Sequence, residues 1–124
     1  MAIKVVVTDD EEEVRVLVRA ALALDDRFEI VGEATNGAEA VEAVREHRPD
    51  VVLLDLRMPA MNGLEAAAVF HRESPETGIV VFSAFLTDES KEQARSMGAA
   101  ACLDKMTPIR EVVDALAEAG APKG

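Results

Sequence analysis

The chain has 124 residues, a length typical of one domain with one hydrophobic core. Its composition is 49% hydrophobic, yet no stretch approaches the roughly 20 apolar residues of a membrane helix, so we expect a soluble protein without membrane contact. The formal net charge of −11 opposes attraction to phosphate backbones, which argues against direct nucleic acid binding by this segment. The single cysteine, Cys102, allows no internal disulfide, and together with the absence of a secretory signal it predicts a cytoplasmic protein.

Short aliphatic runs alternate along the chain with longer segments of helical period. The pattern predicts strands near 3–8, 28–34, 50–54, 79–83 and 100–103, and helices near 11–24, 37–47, 63–74, 87–97 and 108–119. Strands that are apolar on both faces need helices on both sides, reached by right-handed crossovers, so the fold class is α/β with a mostly parallel sheet. We expect one domain over 1–120, followed by a C-terminal tail or linker stub at 121–124.

Polar residues at the predicted helix starts indicate N-caps. Asp10, with Glu13 three positions later, is expected to cap the first helix, and Asn36 the second. Thr107 is expected to cap the fifth helix, with Pro108 at the first helical position.

The helices differ in the apolar surface that they offer to the sheet. The first and fifth helices carry apolar stripes, formed by Val14, Leu17, Val18 and Ala21 and by Ile109, Val112, Val113 and Leu116. In the fourth helix Ala94 and Met97 are the only apolar residues, so we expect little burial there and regard this helix as the movable element. The acidic run 11–13 is attributed to a favourable interaction with the positive end of the first helix.

Polar side chains follow four of the predicted strands where each strand ends. Asp9 and Asp10 follow the first strand, Asp55 the third, Ser83 ends the fourth, and Lys105 follows the fifth. The carboxyl ends of parallel strands lie at one edge of the sheet, so these groups should share one crevice. Two carboxylates about 4 Å apart repel by roughly 4 kcal/mol at an effective dielectric of 20, and one ammonium cannot balance three of them. The sequence therefore predicts a hard divalent cation such as Mg²⁺ at this edge.

These residues resemble the receiver domain of bacterial two-component response regulators. The resemblance rests on Asp9-Asp10, the run Asp55-Leu-Arg-Met-Pro-Ala-Met-Asn-Gly63, Ser83 and Lys105, and it spans essentially the whole chain. It implies a flavodoxin-like (βα)5 three-layer sandwich with a five-stranded parallel sheet in the order 2-1-3-4-5.

The resemblance also implies a role for each acidic residue. Asp55 would be the phosphoacceptor, taking a phosphoryl group from a phosphohistidine on a sensor histidine kinase or a phosphotransfer protein. Asp10 and Asp55 would hold Mg²⁺ or Mn²⁺, with Asp9 acting mainly through water and the backbone carbonyl of Arg57 completing the protein ligands.

The switch implied by the resemblance departs from the family pattern at one position. Lys105 would pair with one phosphoryl oxygen, and Ser83 would donate a hydrogen bond to another and act as the trigger. Three residues before the lysine the family usually has tyrosine or phenylalanine, whereas this chain has Cys102. The aromatic part of the switch is therefore missing, and Phe82 or Phe85 could take its place.

The family also has two positions that influence the lifetime of the phosphate, two residues beyond the phosphoacceptor and two beyond the hydroxyl. Here they are Arg57 and Phe85, two bulky groups that would hinder an attacking water, so the resemblance implies a persistent phosphoryl group.

The implied function is a switching module with only self-catalysed phosphoryl transfer and autodephosphorylation, not a conventional enzyme. Its partner or output domain would contact the face built from helix 4, strand 5 and helix 5, and a phosphorylation-dependent homodimer could form. The motif at 55–59 and the segment 31–37 resemble receivers that precede helix-turn-helix DNA-binding domains, which suggests a role in transcription regulation.

Two alternatives remain open at this point. Metal-dependent phosphohydrolases of the haloacid dehalogenase type also use an aspartyl nucleophile, but they have Asp-x-Asp at the end of the first strand, whereas Asp9 and Asp10 are adjacent. The second alternative, suggested by Cys102, is a receiver-like scaffold that does not respond to phosphate.

Overall fold

A computed structural model describes residues 2–58 and 61–121 of the chain. The strands are β1 Ile3–Thr8, β2 Phe28–Ala34, β3 Val51–Leu54, β4 Gly78–Ser83 and β5 Ala99–Asp104, and the helices are α1 Glu12–Ala23, α2 Gly37–His47, α3 Gly63–Glu73, α4 Asp88–Ser96 and α5 Ile109–Gly120. Every predicted end of a strand or helix agrees with these bounds to within one residue. Most of the predicted tail, 122–124, and residues 59–60 of the motif lie outside the described residues.

The five strands form one fully parallel sheet in the order β2-β1-β3-β4-β5, which confirms the predicted flavodoxin-like topology. Thr8 at the end of β1 pairs with Leu54 at the end of β3, and Ser83 at the end of β4 pairs with Asp104 at the end of β5. Leu54 also pairs with Val81, so β4 and β5 extend about two residues beyond β1 and β3. The residues that follow the four strands still meet at one edge, because the carboxyl ends of parallel strands lie on the same side of the sheet.

Side chains that alternate along each strand divide the core into two layers. In β1, Val5 and Val7 pack with α1 and α5, while Val6 packs with α2, α3 and α4 on the opposite face. This arrangement confirms the three-layer sandwich. Each fully buried valine or leucine stabilises the fold by roughly 1.5–3 kcal/mol, so both layers contribute to a rigid support for the sheet edge.

The apolar stripes on the outer helices are confirmed in part. Val18 and Leu22 of α1 and Val112 and Leu116 of α5 are buried, but Leu17 is 52% exposed. The prediction for Leu17 was wrong because the buried face of α1 is centred on residues 18 and 22, and a neighbouring position points about 100° away from it. No helix among the described residues is both long enough and apolar enough to cross a bilayer.

One of the three predicted helix caps is present. Asn36 caps α2, its Oδ1 accepting a 2.8 Å hydrogen bond from the backbone N–H of Glu39. The prediction for Asp10 was wrong, since the N-cap residue of α1 is Glu11 and no side chain caps this helix. Asp10 is not the cap because the Oδ1 of Asp9 accepts the backbone N–H of Glu11 at 2.9 Å, and α1 begins after the turn that this bond closes.

The predicted cap of α5 was also wrong. Pro108 occupies the N-cap position with extended backbone angles, and no side chain caps the helix. The preceding residue, Thr107, takes part in a turn instead, in which its backbone N–H donates to the carbonyl oxygen of Asp104 at 3.0 Å. A residue that closes the turn after β5 through its backbone does not begin the helix.

Candidate functional site

Four of the predicted site residues converge at the carboxyl edge of the sheet. Asp9, which follows β1, is 2% exposed, Asp55, which follows β3, is 3% exposed, and Ser83, the last residue of β4, is completely buried. Lys105, which follows β5, reaches across this edge to both aspartates. The sequence prediction that distant strand ends form one polar site is thus matched by the geometry.

Asp55 is held by groups from three parts of the chain. Its Oδ1 accepts a hydrogen bond from the Ser83 hydroxyl at 2.7 Å and another from the backbone N–H of Arg57 at 2.9 Å. Its Oδ2 lies 3.5 Å from the Lys105 ammonium nitrogen. The Ser83 oxygen also accepts the backbone N–H of Leu56 at 3.3 Å, so the hydroxyl connects β4 to the start of the loop after β3. The orientation of the Asp55 carboxylate is therefore fixed by contacts to both of its oxygens.

The ammonium group of Lys105 lies among three carboxylates. Its nitrogen is 2.8 Å from Oδ2 of Asp9, 3.5 Å from Oδ2 of Asp55 and 3.7 Å from Oε1 of Glu11. The aromatic ring of Phe82 lies 5.5 Å from the same nitrogen and adds a cation–π contact. The lysine side chain is 17% exposed, so these partners are only weakly screened by water.

Burial and charge have opposite effects on the pKa values of Lys105 and Asp9. Burial lowers the pKa of Lys105, but its hydrogen bond to Asp9 and the charges of Asp55 and Asp9 outweigh burial and raise it above the ordinary value. Burial raises the pKa of Asp9, and the Lys105 ammonium offsets only part of that effect. One ammonium therefore does not fully compensate the burial of negative charge at this edge.

A cluster of four carboxylates surrounds the same point. Asp9, Asp10, Glu11 and Asp55 each offer an oxygen, and these oxygens all lie within 4.8 Å of one another. Carboxylate oxygens are hard ligands of the kind that Mg²⁺ and Mn²⁺ prefer, and Asp10 and Glu11 are exposed while Asp9 and Asp55 are buried. A metal here would contact protein on one side and water on the other, which is the usual environment of Mg²⁺ in proteins.

Sequence reasoning missed Glu11 as a member of this cluster. The acidic run was attributed only to the electrostatics of the helix N-terminus, yet the Glu11 carboxylate faces Lys105. Its position directly after Asp9 and Asp10 at the end of a buried strand is the signal that would have identified it. The side chain of Arg57 is exposed and its backbone N–H is bonded to Asp55, while the role of its carbonyl as a metal ligand stays a prediction.

Two exposed groups lie beside Asp55. The Arg57 guanidinium stacks on the ring of Phe85, with 5.1 Å between the guanidinium carbon and the ring centroid. Phe85 is 82% exposed, and its φ of 55° lies in the left-handed region, which is strained for a bulky side chain. The stack therefore joins the loops that follow β3 and β4, at the expense of backbone strain.

Cys102 lies away from the carboxylates. It is half-buried in β5 and packs against the core layer that includes Ala94 of α4. Burial raises the pKa of its thiol, so the reactive thiolate is disfavoured. This environment is that of a small hydrophobic residue, whereas its part in a switch stays a prediction.

The sheet order, together with buried aspartates, a hydroxyl and a lysine at the carboxyl edge, defines a signalling domain of the receiver class. A family model described as the response regulator receiver domain matches residues 5–117. The chain belongs to this family, which confirms the resemblance noted in the sequence.

Individual relatives show the same similarity. The response regulator protein VraR of Staphylococcus epidermidis is 33% identical over 116 residues, which are 94% of this chain and 56% of that protein. The chain thus spans about half the length of the curated relatives it matches. The signal receiver domain of the response regulator NarL from Mycobacterium tuberculosis is 37% identical, with a TM-score of 0.92 and 98% of both chains covered. A DNA-binding response regulator of the LuxR family from Staphylococcus aureus is 26% identical, with a TM-score of 0.88 over 94% of this chain and 98% of that one.

Membership in this family places the chain among the phosphorylation-dependent signalling domains of two-component systems, not among conventional enzymes. The phosphohydrolase alternative is not favoured, because the family match extends over residues 5–117 and so includes the carboxyl ends of all five strands.

Proposed function

We propose that Asp55 accepts a phosphoryl group from a phosphohistidine on a sensor histidine kinase or phosphotransfer protein, and that the modified domain then regulates an output domain or a partner. The proposal rests above all on the position of the Asp55 carboxylate, buried between the Ser83 hydroxyl at 2.7 Å and the Lys105 ammonium at 3.5 Å. A nucleophile that is held between a hydrogen-bond donor and a cation is suited to phosphoryl transfer, which depends mainly on positioning and electrostatic stabilisation.

The transfer is balanced without a further reactant. A carboxylate oxygen of Asp55 forms a bond to phosphorus while the bond from phosphorus to the histidine nitrogen breaks, and the nitrogen keeps the electron pair. Lys105 then neutralises one phosphoryl oxygen as a point charge, and Ser83 exchanges its hydrogen bond to Asp55 for one to another phosphoryl oxygen. In autodephosphorylation a water oxygen forms a bond to the same phosphorus while the bond from phosphorus to the Asp55 oxygen breaks, which releases inorganic phosphate and restores the carboxylate.

The carboxylate cluster fits a magnesium or manganese ion. Asp10 and Asp55 would hold the metal, with Asp9 and the backbone carbonyl of Arg57 in the roles that the family resemblance implies, and the exposed Glu11 is within reach. When bound, the metal supplies positive charge that offsets the repulsion between the acidic site and the incoming phosphoryl group. The excess of carboxylates over ammonium groups at the sheet edge supports this assignment.

The response to phosphate would begin at Ser83. Its hydroxyl is bonded to Asp55 and to the backbone of Leu56, so a shift toward a phosphoryl oxygen would move the loop between β4 and α4 and change the populations of two existing states. Because Cys102 is too small to act as the usual aromatic, the change would pass through this loop to the face of α4, β5 and α5. A partner, an output domain or a second copy would bind there.

The expected setting is that of a cytoplasmic transcription regulator with magnesium-dependent phosphorylation. The receiver unit would span residues 1–120, with a tail or linker stub at 121–124, and DNA contact would be made by an output domain and not by this acidic segment. The likeness to the DNA-binding response regulator of the LuxR family supports this setting. A phosphate-insensitive scaffold, suggested by Cys102, predicts the same partner affinity before and after modification of Asp55.

Intact mass after incubation with acetyl phosphate and Mg²⁺ tests the proposal. We expect the wild-type chain to gain one phosphoryl group and Asp55→Asn to gain none. Asp50→Asn is the matched control, because Asp50 is exposed and bonds to the backbone of Lys4 near the start of β1, at the opposite edge of the sheet. A wild-type chain that stays unmodified, or equal modification of Asp55→Asn, would overturn the proposal. Hydrolysis of a simple phosphate ester over many turnovers would instead support the phosphohydrolase alternative.

A further inference from the structure

Arg15, near the start of α1, connects the acidic loop to the edge strand β2. Its Nη1 donates a 2.9 Å hydrogen bond to the backbone carbonyl oxygen of Asp9, and its Nε lies 3.5 Å from Oε1 of Glu33. The other oxygen of Glu33 accepts a 2.7 Å hydrogen bond from Arg19. The Arg15 side chain is only 17% exposed, so the guanidinium is enclosed between the loop and the strand.

We propose that Arg15 is a positioning residue for metal binding, which fixes the peptide group between Asp9 and Asp10 so that both carboxylates face Asp55. This inference rests on the proposed function, because it concerns the same magnesium site.

The backbone of the acidic loop is held at three points, and Arg15 supplies one of them. The Asp9 N–H donates to the carbonyl of Ala34 at 3.0 Å, and the Asp9 carboxylate accepts the N–H of Glu11 at 2.9 Å. Arg15 holds the remaining group, the Asp9 carbonyl, which belongs to the same peptide unit as the N–H of Asp10. Without this contact, that peptide unit is free to rotate.

Asp10 is the residue most affected by such rotation. Within 2–58 and 61–121, no hydrogen bond or ion pair orients the Asp10 carboxylate, and the residue is exposed. Its direction therefore depends on the backbone that carries it. Asp9, in contrast, is also oriented by Lys105 and by the N–H of Glu11.

Glu33 keeps the Arg15 guanidinium on the carbonyl. A cation this close to four carboxylates would otherwise pair with one of them and occupy the metal site. Glu33 lies on β2, and its Oε1 pairs with Arg15 while its other oxygen is occupied by Arg19, so the Oε1 contact itself retains the Arg15 guanidinium. The planar fork of arginine can donate to a carbonyl and a carboxylate at once, whereas a lysine ammonium at the same place cannot match both directions.

Electrostatics and positioning predict opposite effects of removing Arg15. By Coulomb attraction alone, loss of a cation beside an acidic site tightens the binding of a divalent cation. If Arg15 acts by positioning, its loss weakens binding, and residues that orient metal ligands typically contribute about 10–100-fold in affinity. The sign of the change thus distinguishes the two roles.

Calorimetric titration with Mg²⁺ alone is the test, applied to the wild type, Arg15→Gln, Arg15→Lys and Arg19→Gln. We expect the Kd of Arg15→Gln to rise about tenfold or more, with partial recovery in Arg15→Lys, which keeps one donor. Arg19→Gln is the matched control, because it removes the same charge and a bond to the same Glu33 but does not touch the Asp9 carbonyl, and its Kd should be unchanged or lower. Circular dichroism of each metal-free variant checks that it is folded.

A second readout separates positioning from a general loss of structure. The Mg²⁺ concentration that half-saturates phosphorylation by acetyl phosphate should rise in Arg15→Gln, while the rate at saturating Mg²⁺ approaches that of the wild type. Should Arg15→Gln not fold, Glu33→Gln leaves the arginine in place, loosens its anchor and should weaken Mg²⁺ binding several-fold.

An unchanged or tighter Kd in Arg15→Gln, or an equal loss in Arg19→Gln, would overturn the positioning role and leave the proposed function intact. A wild-type chain that does not bind Mg²⁺ would overturn both.

Discussion

The carboxyl edge of β1, β3 and β4 and the segment that runs from the end of β4 through α4 are organised in opposite ways. At the edge, Asp9, Asp55 and Ser83 are buried and each is held by at least one hydrogen bond within the site. In the second segment, Phe85 is exposed with strained backbone angles, and Ala94 is the only buried residue of α4. The two regions share Ser83, which ends β4 and contacts Asp55.

This difference indicates how a small domain can combine fixed chemistry with a movable response. Phosphoryl transfer needs its groups in place before the reaction, and the proposed nucleophile and its partners follow buried central strands. A conformational response needs two states of similar free energy, and an element with little buried apolar surface supplies them at low cost. The structure shows firmly held groups at the edge and a sparsely buried helix beside it, while movement of α4 stays a prediction.

The largest effect is expected from Lys105→Met, which removes the cation from the rigid region. Asp9 and Asp55 would be left buried without their ammonium partner, which should reduce the free energy of unfolding at neutral pH by on the order of 3 kcal/mol. The pKa of Lys105 is raised in the folded state, so its contribution is complete below the ordinary value of 10.5 and disappears as pH rises through the folded value.

Urea unfolding followed by circular dichroism measures this effect, since the chain has no tryptophan or tyrosine to report by fluorescence. Lys4→Met is the control, because Lys4 is exposed and outside the site. Equal stability of Lys105→Met and Lys4→Met would show that the edge is not held by this ion pair, and a deficit that persists at strongly alkaline pH would contradict the pKa argument.

An intermediate effect is expected in amide hydrogen exchange, which compares the sparsely buried helix α4 with the well-buried helix α3. We expect the amides of α4 to exchange at least about tenfold faster than those of α3, a difference of roughly 1.4 kcal/mol in local opening. The reason is burial, since α3 buries four residues against the core and α4 buries Ala94 alone.

Ala94→Gly should enlarge the difference between α3 and α4, because it removes the one buried side chain of α4 and lowers helix propensity by about 1 kcal/mol. Exchange of α4 should accelerate further while the rate of Asp55 phosphorylation stays unchanged. Similar exchange rates in the two wild-type helices would remove the contrast on which the proposed response depends.

The smallest effect is expected from the double variant Arg57→Asn, Phe85→Ala. The stacked pair lies beside Asp55 and should hinder water, so its removal should shorten the lifetime of the phosphorylated chain several-fold, in line with roughly 0.5–1 kcal/mol for an exposed cation–π contact. The decay of the phosphorylated mass after removal of acetyl phosphate measures it. Arg72→Asn, which removes an exposed arginine from α3, is the control, and a double variant as long-lived as this control would refute the idea.

The sequence predicted much of this molecule because its local signals agree with the final fold. Alternating aliphatic runs and helical stripes placed every strand and helix, and the rule that parallel strand ends share one edge brought Asp9, Asp55, Ser83 and Lys105 together. Charged residues directly after buried strands need partners, and this requirement pointed to the site before any coordinates.

Other features depended on contacts between segments that are distant along the chain. Asp10 does not cap α1, because the Asp9 carboxylate accepts the Glu11 N–H. Glu11 follows β1 yet lies close to Lys105, which follows β5 at the same edge. The contact of Arg15 with the Asp9 carbonyl had no signature in the sequence, since its orientation is set by Glu33 of β2.

The sequence by itself determined the order of the elements, the two-sided burial of the strands and the residues that end them, because these follow from periodicity and from the cost of burying charge. The tertiary structure alone decided which oxygen accepts from each donor and which cation each carboxylate contacts. Those choices are set by distances of a few ångströms between side chains from separate segments, and no local pattern encodes such distances.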